Sequence, residues 1–184
     1  LLQALPFALE EQLAEDVDGL HFAHGERLDD GRFEVAIVRR QVIEDWGSRL
    51  ASAGLRADRM YSVADAVGST PNTATLLLEE DCAILREADG RIGVVDAANC
   101  TVLLDLVIGQ SGAREAETGR ANLVVYATAQ AVDRHGATLE SLRPQLESLD
   151  IRHLTDGSLP RLAAQIVTTP GVNLLQGDYA RRST

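Results

Sequence analysis

Residues 74–96 read ATLLLEEDCAILREADGRIGVVD. Short apolar runs are separated by Glu79-Glu80-Asp81 and by Asp89-Gly90. Such punctuation predicts a three-strand meander over 74–79, 82–88 and 91–96, with Asp89-Gly90 at one turn. Just upstream, Gly68-Ser69-Thr70-Pro71-Asn72-Thr73 is the strongest internal boundary, because Gly, Pro and Asn end periodic structure. Downstream, 97–109 reads as helical and 112–120 as a polar loop. Ala121 to Ala127 reads as a strand buried on both faces. Leu139, Leu142, Leu146 and Leu149 mark a helix whose start Pro144 could delay. A strand at 151–154 leads through Asp156-Gly157-Ser158 into a last helix at 159–168.

The first half has the same ingredients. Leu5, Leu9, Leu13 and Val17 recur every four residues and predict an amphipathic helix over 4–18. Its opposite face carries Glu10, Glu11, Glu15 and Asp18; a solvated surface is the plain reading of that face, a partner-steering surface the functional one. Strands at 20–28 and 33–39 flank Asp29-Asp30-Gly31-Arg32, a hairpin signal. A helix follows at 40–53, with Val42, Ile43, Trp46, Leu50 and Ala53 on one face, so Trp46 is expected in the core. A short strand is expected near 59–63. Hairpins followed by crossover helices, in two similar halves, imply an α/β domain with mixed sheets. The organisation is a first lobe at 1–67, a second lobe at 74–168, and a segment at 169–184.

That last segment is Pro170-Gly171-Val172-Asn173-Leu174-Leu175-Gln176-Gly177-Asp178-Tyr179-Ala180-Arg181-Arg182. Pro-Gly ends the helix. Val172, Asn173, Leu174 and Leu175 form an apolar plug too short to build a helix with its own core. Exposed leucines are costly, so the plug is expected to dock, against its own domain or a neighbouring copy. The alternative is that its apolar residues complete the core of the last helix. Asn173 favours docking, since an amide bonds exposed backbone groups and pure packing does not need one. In an extended chain, Val172 and Leu174 share one face while Asn173 and Leu175 share the other. Arg181 and Arg182 then form a small basic cluster.

Composition narrows the function. The chain has 184 residues, is 45% hydrophobic and carries a net charge of −11. It can bury a core, and its acidity argues against nucleic acid as a partner. The longest apolar run, 101–109, is interrupted by Asp105 and is too short to span a bilayer. A first residue of leucine rather than methionine suggests a piece of a longer protein. Every positive side chain is arginine, so neither a phosphate-loop lysine nor a Schiff-base lysine exists. Cys82 and Cys100 lack metal or redox spacing and read as reduced thiols. His21 and His24 stand three apart on an expected strand and so face opposite ways, which is wrong for a metal pair. His135 and His153 stand alone. No nucleophile signature occurs. No catalytic residue, cofactor or metal is expected.

Two stretches carry a family resemblance. Ala4-Leu5-Pro6-Phe7-Ala8-Leu9-Glu10-Glu11-Gln12-Leu13-Ala14-Glu15-Asp16-Val17, followed by Leu20-His21-Phe22-Ala23, resembles a motif of the general secretion pathway protein L family. Val172 to Tyr179 resembles the segment that family carries just before its membrane helix, and Val35-Ala36-Ile37-Val38-Arg39-Arg40 matches in pattern. The resemblance implies an actin-like, ribonuclease-H-like two-lobed fold, lacking its first strands here. It implies the cytoplasmic part of an inner-membrane platform protein of type II secretion, which acts as a scaffold that recruits the secretion ATPase through that enzyme's N-terminal region. Other platform proteins are further implied partners, membrane attachment would lie C-terminal to this chain, and homodimerisation is left open. In type IV pilus systems the equivalent parts are two proteins, and an Asn-Leu-Leu motif of one docks into a groove of the other; Asn173, Leu174 and Leu175 match it. Arg181 and Arg182 would be membrane-proximal.

An actin-like ATPase needs a hairpin whose backbone N–H groups cradle phosphate. Here Glu79-Glu80-Asp81-Cys82 offers repelling carboxylates instead. Asp156-Gly157-Ser158, at a helix start, could hold an anion, but a Ser158 helix cap is the plainer reading. The sequence therefore favours an adaptor over its alternative, an actin-like protein that binds or hydrolyses ATP.

Overall fold

The computed structural model describes residues 5–27, 31–114 and 120–180, with the backbone alone for 110–114. The chain divides into two compact units, Leu1–Ser62 with Pro170–Thr184, and Val63–Thr169.

The second unit is a five-stranded mixed sheet with helices on both faces. Its strands are β3 (Thr73–Leu78), β4 (Cys82–Arg86), β5 (Ile92–Asp96), β6 (Asn122–Ala127) and β7 (Ser148–His153), in the order β5-β4-β3-β6-β7. The meander β3-β4-β5 is antiparallel, while β6 runs parallel to β3 and β7 parallel to β6. Parallel neighbours require crossovers. These are α4 (Cys100–Arg114), entered through a 3-10 turn at Ala97–Asn99, and α5 (Ala129–Leu142). One sheet face packs Leu76, Leu78, Leu85, Leu123 and Val125 against Leu103, Leu104 and Leu139 of those helices. The other packs Leu77 and Ile84 against α3 (Val63–Ala66) and α6 (Leu159–Thr168), through Ala66 and Leu162.

The first unit is smaller. Its strands β1 (Leu20–Arg27) and β2 (Phe33–Arg39) form an antiparallel hairpin, followed by α2 (Arg40–Ser52). Its core joins Ala23 and Ile43 to Val172 and Leu174. Asp29 and Asp30, at the expected hairpin turn, lie outside the described residues.

Several expectations are corrected. The helix expected over 4–18 is only α1 (Leu5–Leu9) with a 3-10 turn at Glu10–Gln12, and the backbone turns extended at Leu13. The Asp16 carboxylate then accepts the Asp18 N–H at 3.0 Å, starting a separate 3-10 turn at Val17–Gly19. Asp residues bond nearby backbone and so compete with helix. No strand forms at 59–63. The helix inferred from Leu139 to Leu149 is really the end of α5, a 3-10 turn holding Pro144, and β7, which takes Leu149. Helix α5 starts ten residues earlier than Leu139, where the Thr128 hydroxyl accepts the Ala131 N–H. The polar loop at 112–120 gives way to α4 as far as Arg114. β6 buries one face fully and the other only half. Trp46 is 40% exposed, because only Ile43 of α2 is buried.

Candidate functional site

The tail 172–179 lies within the first unit as an extended segment held at both sides by amide side chains. On one side, Leu174 N–H donates to Met60 C=O at 2.7 Å and Met60 N–H donates to Asn173 Oδ1 at 3.0 Å. Met60 is thus a backbone partner of the tail rather than a strand residue. Asn173 Oδ1 also accepts Leu175 N–H at 3.1 Å, which fixes the local bend. On the other side, Gln176 spans the backbone of His24. It accepts His24 N–H at 3.3 Å and donates to His24 C=O at 2.8 Å, as a paired strand residue would. The same amide donates to Asn173 C=O at 2.9 Å.

Two aromatic rings close the socket. His21 is buried, and its Nε2 lies 2.7 Å from Leu174 C=O. A carbonyl only accepts, so His21 carries a proton on Nε2. Its ring meets Tyr179 edge-on at 4.9 Å. Tyr179 O–H donates to Glu44 at 3.0 Å. Burial, reinforced by the Glu44 carboxylate, raises the Tyr179 pKa and keeps it a phenol. Arg40 holds Asp178 at 3.2 Å. Val172 and Leu174 are each 5% exposed, whereas Asn173 and Leu175 are half-buried. Gly25 admits Val172, since a Cβ there would approach its Cγ2 to 3.3 Å.

Glu10, Glu11, Glu15 and Asp18 are all exposed, but the broken helix spreads them over two turns and the stretch between. Glu15 is already engaged: it accepts Arg39 Nε at 2.7 Å, and that hydrogen bond lowers its pKa. Arg181 and Arg182 lie outside the described residues.

In the second unit the β3–β4 turn and the turn before α6 come together. Ser158 does not cap α6, a correction; its hydroxyl donates to the Glu79 carboxylate. The acidic side chain thus sits at the helix start where an anion would bind. Cys82 lies beside Glu79, and burial, with that carboxylate, pushes its thiol pKa up, against nucleophilic use. Burial raises the Cys100 thiol too. Among the described residues no His, Cys, Asp and Glu cluster could hold a metal ion. No helix of the described residues is long and apolar enough to cross a membrane.

The family model described as type II secretion system (T2SS), protein L matches residues 1–182. The chain belongs to this family. It is 27% identical over 184 residues to the type II secretion system protein L of Pseudomonas aeruginosa, and 28% identical over 182 residues to that of Pectobacterium carotovorum. These alignments cover 99% and 97% of this chain but only 40% and 38% of the relatives, so the chain spans about two fifths of their length. A solved structure, the cytoplasmic domain of EpsL, an inner membrane component of the type II secretion system of Vibrio cholerae, superposes with a TM-score of 0.63 at 22% identity. The match covers 97% of this chain and 68% of that one. The chain therefore shares the fold of that domain, in keeping with the α/β fold with mixed sheets expected from the sequence.

The sequence alone does not single out His21, Met60, Gln176 or Tyr179 as parts of the site: Met60 carries no local pattern, and His21, Gln176 and Tyr179 fall within the stretches that carry the family resemblance.

Proposed function

We propose that this chain is a non-enzymatic adaptor of the type II secretion machinery. It recruits the cytoplasmic secretion ATPase to the inner-membrane platform, from the cytoplasmic face of that membrane. The observation that carries this reading is the match of residues 1–182 to a named component of that machinery. The Glu79–Ser158 pair supports the non-enzymatic part, since a carboxylate at the head of α6 repels phosphate. The tail supports the placement at the membrane face. Val172, Asn173, Leu174 and Leu175 act as a docking segment that ties residues 170–180 to the first unit. Arg181 and Arg182 then emerge beside an anionic leaflet.

The decisive experiment is retention of the cognate ATPase's N-terminal region on the immobilised chain. Retention at micromolar concentration is expected, and none at all would reject recruitment. Glu10, Glu11 and Asp18, with Glu15 partly neutralised by Arg39, form the face proposed to steer the ATPase. Reversing two of those charges should lower the association rate, and raising the salt should do the same. Kinetics unmoved by either change would return these residues to a solvated surface. Steady-state phosphate release that a single substitution abolishes would overturn the non-enzymatic assignment.

A further inference from the structure

Helix α6 is apolar on its outer side as well as its inner one. Leu162 and Ile166 pack inward. A surface helix ordinarily turns charged side chains to water on the other side, as α5 does with exposed Asp133, Arg134 and Glu140. On α6 that place is taken by Leu159, Pro160, Ala163, Ala164 and Val167, all exposed. Leu159 and Val167 are 75% and 83% exposed. At about 100° per residue these five side chains form one continuous strip. Exposed apolar surface of this kind marks an interaction site.

One border of the strip is cationic. Arg161, the sole charged residue of α6, lies beyond Ala164 on that border. Its guanidinium sits over the Tyr126 ring, 3.4 Å from the centroid. It donates to Val67 C=O at 3.5 Å, and among the described residues no carboxylate pairs with it. The chain has 28 Asp and Glu against 17 Arg, so a held guanidinium with free N–H groups stands out. Tyr126 extends this donor set. Arg152 Nη1 donates to its hydroxyl at 3.0 Å, which leaves the phenol proton free to donate elsewhere. Arg161, Ala164, Gln165 and Thr168 line an open groove of about 390 Å³ along the same border.

We propose that this strip and groove bind an acidic amphipathic helix of a partner protein. The apolar stripe of that helix covers Leu159 and Val167, in the manner of a helix laid into a groove. A carboxylate flanking the stripe takes the free N–H groups of Arg161 and the Tyr126 proton. Stacking on Tyr126 fixes the guanidinium plane beforehand, so less freedom is lost when the carboxylate arrives. Charge selects this occupant. An anionic lipid surface calls for a cluster of several basic side chains, whereas two arginines stand here on a chain of net charge −11. A second copy presenting the same strip would bring an α6 with no carboxylate at all. The acidic face proposed to steer the ATPase calls for a basic partner, so this site does not rest on that reading.

Anisotropy titration of fluorescein-labelled synthetic peptides with the full 184-residue chain tests this. Peptides built from Leu-Leu-Glu-Glu repeats should bind at least tenfold more tightly than those built from Leu-Leu-Gln-Gln or Ser-Ser-Glu-Glu repeats. Arg161→Gln and Val167→Asp should each weaken that binding more than tenfold. Should Arg161→Gln disturb the fold through its Tyr126 and Val67 contacts, Val167→Asp alone decides, since that side chain is exposed. Absence of binding by the Leu-Leu-Glu-Glu peptide at roughly 1 mM, where even weak complexes form, overturns the proposal. So does equal binding of the Gln peptide, or affinity unchanged in Val167→Asp. Cosedimentation with phosphatidylglycerol vesicles that Val167→Asp abolishes would assign the strip to a lipid surface instead. Self-association that Val167→Asp abolishes would assign it to a second copy, and either result overturns the proposal.

Discussion

The two units solve the problem of a core in opposite ways. The second closes its own: the core comes from strands and helices within Val63–Thr169, on both faces of one sheet. The first has a two-stranded hairpin, and an isolated hairpin is marginal in water. Its core is completed by Val172 and Leu174, which arrive after the whole second unit has been traversed. The second unit is therefore supported by contacts within one continuous stretch of chain, whereas the first depends on a segment far away in sequence. Segments that complete a core from a distance are where a small change has the widest structural effect.

The largest break in this comparison is Leu174→Ala. Loss of a buried leucine costs about 2–5 kcal/mol, and here the site also orders His21 and Met60 through the Leu174 backbone. Hydrogen exchange should quicken at 21–24, 60 and 172–176 and stay unchanged in β3, β4 and β6. Equal loss of protection in both units would mean that the first does not open independently. Unchanged exchange at 172–176 would mean that the tail contributes no stability to the first unit.

A smaller break is Gln176→Ala. It strips the partners from both His24 N–H and His24 C=O, half-buried groups that then depend on water. Leaving such groups unsatisfied costs about 1–3 kcal/mol. Gln176→Glu is the sharper variant, since a carboxylate can still accept His24 N–H but cannot donate to its C=O. Urea unfolding of the first unit should place Glu between Gln and Ala. If Gln176→Ala leaves the midpoint unmoved, the backbone bridge is incidental and Leu174 alone anchors the tail.

The same contrast explains what the sequence could reveal. β3, β4 and β5 follow from short apolar runs set apart by acidic residues and a Gly-containing turn, and α6 from the Asp-Gly-Ser turn before it, all local signals. The reading failed where one spacing straddled two elements. Leu139, Leu142, Leu146 and Leu149 fit a helical period, but Pro144 divides them between α5 and β7. Thr128, which caps α5, is the local cue to its true start. Periodicity misleads again at 13–16, where Asp16 captures the backbone. In the tail, the apolar plug and its amide stood out, because exposed leucines are costly anywhere. Its partners His21, His24 and Met60 do not, because their meeting with residues 173–179 is a property of the folded chain. Trp46 misled for the opposite reason. Helical phase fixes a face, but it does not guarantee an element to cover that face.

The smallest effects should come from exposed ion pairs such as Arg39–Glu15 in the first unit and Arg143–Glu140 in the second. Arg39 lowers the pKa of Glu15 in the first unit, and Arg143 lowers that of Glu140 in the second, in both cases chiefly through a hydrogen bond. A carboxylate whose folded pKa lies below its unfolded value stabilises the fold at pH above the unfolded value. That contribution is lost as pH falls through the folded value. Both pairs are solvent-exposed, so water and salt screen them, and neither should move stability much. Carboxyl NMR titration should show both groups releasing protons at lower pH than an ordinary glutamate, with Arg39→Gln restoring Glu15 alone. The stability of either unit between pH 5 and 7 should hardly change in Glu15→Gln or Glu140→Gln. If Glu15→Gln instead loosens the first unit as much as Gln176→Ala does, the small unit is held together by its rim as well as its tail. The dependence on Val172 and Leu174 would then be weaker than the two cores suggest.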